Sequence, residues 1–231
     1  MNADNGLGDA LRRSVGTRTR RRLVTITLLA GVAAAVGMSK APPAGRTFAM
    51  LTEAAQSLMS ITVPFLGVLL THDLRRTPRT ARLAPTLLAA TLLAAAFGVF
   101  GALTCALALT LTPAVPGVNP WLNVETLVLG GVLVQVVAQL TGTALGLLLR
   151  SPVVACLGTI VLPMGLWLVL RASPVQGWLA PYATARNLLS GQMTPLAWLQ
   201  WGTVLLIWGV GLNAVGAARL RRVPVGSGSA S

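Results

Sequence analysis

Residues 85–111 read PTLLAATLLAAAFGVFGALTCALALTL, without one charged side chain. A bilayer's hydrocarbon core is about 30 Å thick, so roughly 20 apolar residues cross it as a helix. This run is longer than that, and it predicts a helix that tilts or breaks locally, with Phe97-Gly98-Val99-Phe100-Gly101 as the place for a break. Moving outward, further charge-free gaps separate Arg22 from Lys40, Glu53 from Asp73, Glu125 from Arg150, Arg150 from Arg171 and Arg186 from Arg219. With the gap from Arg82 to Glu125 that surrounds the first run, the chain holds six such windows. A charge at mid-bilayer costs about 2.5 to 3.5 kcal/mol on insertion scales, which is the physical reason for gaps this regular.

The composition agrees: 10% of residues are charged, 54% are hydrophobic, and mean hydropathy is +0.74. Backbone groups in lipid must be satisfied internally, so spanning segments are helices or closed barrels, and barrels read as short alternating segments. Continuous apolar runs therefore predict an all-α, polytopic membrane protein with six transmembrane helices. The net charge of +13 does not point to nucleic acid, because the arginines flank apolar runs instead of forming a basic domain. Arg12, Arg13, Arg18, Arg20, Arg21 and Arg22 precede the first span; Arg75, Arg76, Arg79 and Arg82 follow the second. Arg219, Arg221 and Arg222 follow the last, and Arg150 lies between spans four and five. Those fourteen face only Lys40, Arg46, Arg171 and Arg186 on the other side. This positive-inside bias places both termini in the cytoplasm of a plasma-membrane protein.

The expected organisation is a basic cytoplasmic segment over 1–22, a six-helix membrane domain over 23–218 and a short cytoplasmic tail over 219–231. Leu7, Ala10, Leu11 and Val15 fall at helical spacing, so the first segment reads either as an interfacial helix or, given Gly6, Gly8 and Gly16, as a disordered basic arm. The first span, Leu23 to Ser39, also fits a secretory signal peptide; a chain that stays apolar to its last span argues against cleavage. Span two runs from Leu51 to Thr71 with Pro64 as a kink, and a basic loop from His72 to Arg82 follows. The other spans are Pro85 to Leu111, Val124 to Leu149, Pro152 to Leu170 with Pro163 inside, and Leu196 to Ala218. The outer segment 171–195 is itself apolar around Trp178, Pro181 and Tyr182, which predicts that it dips into the interface. Cys105 and Cys156 lie in apolar runs and behave as small hydrophobes.

The residue inventory excludes several chemistries. The one histidine, His72, cannot build a His-Glu-x-x-His zinc helix or a histidine-activated nucleophile at membrane depth. Five carboxylates, Asp4 and Asp9 among them in the N-terminal segment, make a metal centre improbable. The single lysine, Lys40, follows Ala34-Ala35-Val36-Gly37-Met38-Ser39, so no phosphate-binding loop of the GxxxxGK[ST] type exists. We therefore expect no enzyme activity and no cofactor. Ion-coupled carriers place titratable groups inside their spans, and none falls at mid-span here. Gln135 and Gln139, one turn apart, read as pathway-lining or interhelical hydrogen-bonding groups, and Gly142 and Gly146 as a close helix-packing motif. Glu53 and Glu125 read as interfacial carboxylates at outer helix ends.

The layout resembles the ABC-2-type export permeases. The resemblance is carried by Gly142-Thr143-Ala144-Leu145-Gly146-Leu147-Leu148-Leu149-Arg150-Ser151-Pro152, by Pro181-Tyr182-Ala183-Thr184-Ala185-Arg186-Asn187-Leu188-Leu189-Ser190-Gly191, and by a Trp-rich last span ending in Arg219-Leu220-Arg221-Arg222. It implies a permease dimer, with itself or a second permease, moving a solute with energy from a separate ABC ATPase subunit. It also implies that Asp73, Arg75, Arg76 and Arg79 form the segment that docks on the ATPase. By the same resemblance, Pro181 and Tyr182, with Glu53 and Glu125 nearby, form an outer gate. The segment after span two is shorter than the family's and lacks its Gly-Thr continuation. A non-transporting scaffold subunit and an ion-coupled carrier are the alternatives.

Overall fold

The structure, a computed structural model, describes residues 6–42, 46–76, 83–113, 116–117 and 119–221. These residues form helices and no strand. In chain order the helices are α1 (Leu7–Ser14), α2 (Arg18–Ser39), α3 (Phe48–Arg76), α4 (Leu83–Thr110), α5 (Val124–Leu148), α6 (Pro152–Val169), α7 (Gln176–Leu179), α8 (Pro181–Leu189) and α9 (Pro195–Val204). A π-helical stretch, Leu205–Gly211, joins α9 to α10 (Leu212–Arg221). Six of the helical segments are long and apolar enough to cross a membrane: α2, α3, α4, α5, α6 and the continuous rod from α9 through α10.

Helix starts follow local chemistry. Thr17 caps α2 by accepting from the Arg20 N–H at 3.3 Å, and Ser151 and Thr194 cap α6 and α9 in the same way. Pro152, Pro181 and Pro195 each occupy the first turn of their helix, where a missing N–H costs nothing.

Two expected boundaries change, and one open reading is decided. The first span begins at Arg18, so the last residues of the basic segment 1–22 are the opening turn of a spanning helix. The amphipathic pattern over Leu7 to Val15 folds as α1, which packs on α4 and α3. Helix α3 continues to Arg76, so His72, Asp73, Arg75 and Arg76 belong to a helix and the loop begins after them. Once a helix is nucleated, each added residue gains a backbone hydrogen bond, and polar residues past the bilayer edge keep that gain. Helix α4 runs unbroken through Phe97–Gly101, its glycines serving close packing instead of a break.

Helix α5 is the hub. It packs against α3, α4, α6, α8 and α10, and 61% of its membrane window is buried, against 17% for α2 and 11% for α6. Lipid tails are as apolar as leucine, so burial of apolar area cannot hold such a bundle; close backbone contact through small residues does. A Cβ on Gly142 would run into the backbone of Pro64, and one on Gly146 would meet the Val68 carbonyl at 2.8 Å. Across the other side of α5, a Cβ on Gly98 of α4 would sit 2.8 Å from the Val132 nitrogen.

The two ends of the bundle differ in what closes them. At one end Leu74, Leu83, Leu147 and Leu220 cluster, joining α3, α4, α5 and α10, and Arg20 reaches the end of α3. The start of α2 and the end of α10 therefore lie at the same end of the bundle. At the opposite end Phe48 stacks on Trp121 with centroids 5.7 Å apart, and the Phe48 N–H donates to the Pro120 carbonyl at 2.8 Å.

Candidate functional site

A cavity of about 880 Å3 is lined by α2, α3, α5 and α6, with α8 and Trp201 of α9 closing one end. Its size falls within the range of small-ligand sites, about 300 to 1,000 Å3. Val134, Val137 and Ala138 of α5 form the floor, and Leu58 and Ile61 of α3 face Ile160 and Met164 of α6 across the opening. Those four edge residues are exposed on the outer surface of the bundle, so the groove opens sideways.

Proline places this groove. Pro64 in α3 and Pro163 in α6 both line it, and each removes the N–H that would bond the carbonyl four residues earlier. Those carbonyls belong to Ser60 and Thr159, which line the same groove. Polar acceptors thus fall at mid-depth on both walls of an otherwise apolar slot.

Helix α8 supplies the closed end. Tyr182 meets Trp167 edge-on with centroids 5.4 Å apart, Pro181 is buried at the first turn, and Arg186 lines the groove. Arg186 Nε lies 3.9 Å from Glu53 Oε1, a loose pair whose side chains are 61% and 40% exposed; such pairs contribute about 0 to 1 kcal/mol. Glu125 is exposed in the first turn of α5, where the helix dipole favours a carboxylate, and does not line the groove.

A buried polar line crosses the core beside the groove. Gln135 Nε2 donates to the Gln56 carbonyl at 2.9 Å and to Gln56 Oε1 at 2.8 Å, and Gln56 Nε2 donates to the Gly98 carbonyl at 2.8 Å. These bonds tie α5 to α3 and α3 to α4. Thr71 Oγ1 donates to the Thr143 carbonyl at 3.0 Å, while Thr143 Oγ1 donates to Asn213 Oδ1 at 2.8 Å. Asn213 Nδ2 donates to the Leu140 and Gly209 carbonyls at 2.8 and 2.7 Å, fixing the last span to α5 just after the π-helical stretch.

Gln139 differs from its neighbour. It is fully buried, and neither atom of its side-chain amide has a hydrogen-bond partner. An unsatisfied buried group costs about 1 to 3 kcal/mol. Gln139→Leu should therefore leave the thermal midpoint in detergent unchanged or raise it. A fall of several degrees would mean that the amide holds a bound water or solute.

Of the residues proposed for coupling, Asp73 is taken up inside the chain. The buried Arg20 guanidinium donates to Asp73 Oδ2, to the Leu69 carbonyl at 2.9 Å and to the Arg13 carbonyl at 2.7 Å. Arg75 and Arg76 lie on the last turn of α3, and Arg79 falls outside the described residues. Sequence reasoning missed Arg20, Gln56 and Asn213. Gln56 and Asn213 carried a usable signal, since each is an amide inside an otherwise apolar span. Arg20 carried none, as one arginine among several at a span's start.

Fold and groove together define an α-helical membrane protein of six apolar spans with a ligand-sized cavity open to its flank. Compared with known proteins, the chain matches no family model, no curated relative and no solved structure.

Proposed function

We propose that the chain is the membrane-spanning permease subunit of an ABC exporter, working in the plasma membrane with both termini in the cytoplasm. The observation that carries this reading is the lateral cavity of about 880 Å3 held between membrane helices, with a small-helix element, α7 and α8, at one end. A second observation supports pairing with another permease. Helices α2 and α6 have only 17% and 11% of their membrane windows buried within the chain, leaving long apolar faces. The resemblance in layout supplies the energy source, a separate ATPase subunit whose contact would include Arg75, Arg76 and Arg79.

Copurification from membranes with a nucleotide-binding subunit tests the partnership, and ATP-dependent solute movement in vesicles tests the activity. Neutralising Arg75 and Arg76 together should abolish copurification while six-span insertion persists; retention of the ATPase by that variant would defeat the docking assignment. Cysteines at Leu122 and Thr77, in a background lacking Cys105 and Cys156, should react with an impermeant thiol reagent from opposite faces of intact cells. Labelling of both from the outside would overturn the topology.

One observation favours the scaffold alternative. Asp73, the acidic residue expected to meet the ATPase, is engaged by Arg20 of the same chain. Vesicles loaded with the complex separate the two readings: a scaffold binds its partners and moves no solute.

A further inference from the structure

The groove offers the Arg186 guanidinium at one end and mostly apolar walls along the rest, and that polarity selects a ligand. Trp201 is 3% exposed and lines the groove with its ring, while its Nε1–H is itself buried. Trp201 packs with Leu188 and Leu189 of α8, the helix that also presents Arg186 to the groove. Arg186 pairs loosely with Glu53, whose carboxylate is 3.9 Å away and does not line the groove, so the five-donor guanidinium keeps N–H groups for a ligand. Away from this end the walls are Leu58 and Ile61 on one side and Ile160 and Met164 on the other, all exposed on the flank where a bilayer supplies hydrocarbon.

A complementary ligand therefore carries acceptor atoms and negative charge at one end and an apolar chain at the other. We propose that the groove binds an anionic acyl lipid drawn sideways from the bilayer, its head against Arg186 and its chain between α3 and α6. The source is the membrane and not bulk water, because the exposed edge residues Leu58, Ile61, Ile160 and Met164 are all apolar. That this lipid is also the exported solute rests on the permease reading; its binding does not.

Photolabelling of the full chain in zwitterionic phosphatidylcholine nanodiscs tests the proposal. The probes share one diazirine-bearing acyl chain and differ in head: lysophosphatidic acid, monoacylglycerol, and an alkyl trimethylammonium. Lysophosphatidic acid should label peptides spanning 57–64 and 159–164 about tenfold more than the neutral and cationic probes, the ratio given by ~1.4 kcal/mol of charge-assisted bonding. Arg186→Gln should bring that labelling down to the neutral level and Arg186→Lys should keep part of it, with the thermal midpoint unchanged in both.

Equal labelling by all three heads would overturn the proposal, as would labelling spread evenly onto the outward faces of α2 and α4 at Leu29 and Leu103. A second copy seated in the groove, seen as full-yield disulfide pairing of Ile160→Cys chains together with absent labelling, would overturn it too. Labelling as expected in protein that never copurifies with an ATPase would retire the permease reading and leave the lipid site standing. Absent labelling in a chain that does copurify would retire the lipid site alone.

Discussion

Gly142→Leu should abolish the folded bundle or lower its stability by about 3 kcal/mol or more, the upper part of the range for overpacked cores. The reason lies in what the new side chain meets. A Cβ at residue 142 would overlap the backbone of Pro64, and a proline backbone inside a packed helix cannot rotate away as a flexible side chain would. Helices α3 and α5 would have to separate, taking with them the Gln135 to Gln56 and Thr71 to Thr143 bonds. Gly165→Leu and Gly37→Leu are the controls, since nothing lies within 4 Å of a Cβ at either position. Denaturant titration in mixed micelles, followed by circular dichroism, should show the first variant unfolded or shifted and the controls unmoved. Equal stability of all three would mean that α3 and α5 do not cross at Gly142.

Arg20→Ala should cost about 1.5 to 3 kcal/mol, the range for a hydrogen bond to a charged group. Arg20 is 5% exposed and serves three acceptors, Leu69 and Asp73 of α3 and Arg13 at the end of α1, so its loss releases α1 and the start of α2 together. The cost stays well below that of stranding a fully buried charge because Asp73, 59% exposed, keeps its hydration when Arg20 is gone. Lysine should rescue only partly, since one ammonium cannot span the fork that reaches the Leu69 carbonyl and Asp73 at once. Limited proteolysis between α1 and α2 provides a local readout, with cleavage near Val15 and Gly16 rising in Arg20→Ala and remaining slow in Asp73→Asn. Cleavage at wild-type rates in Arg20→Ala would remove the latch from the account.

The two variants bear on function in different ways. Helix crossing at Gly142 sets the floor of the groove against its α3 wall, so any variant there moves the cavity as well as the stability. The Arg20 latch lies at the other end, next to the residues proposed to meet an ATPase.

The sequence by itself determined the class of fold. Six charge-free windows are forced by the cost of a charge in hydrocarbon, a property of each residue and its depth that needs no knowledge of neighbours. Span limits followed within a few residues, except where helices outlast the bilayer, as at Arg18 and Arg76. Gly142 and Gly146 were legible as packing positions because small residues at that spacing share one face. Tertiary structure alone decided which helix receives that face, which of two similar glutamines finds a partner, and which of many arginines turns inward. Gln135 and Gln139 differ by about 40° around one helix, which puts one amide against Gln56 and leaves the other without a partner. The groove was equally hidden, because its walls come from α2, α3, α5, α6, α8 and α9, segments far apart in the chain. A hydropathy pattern records where each segment can sit, whereas a cavity depends on the gaps between segments, and those exist only once the helices have packed.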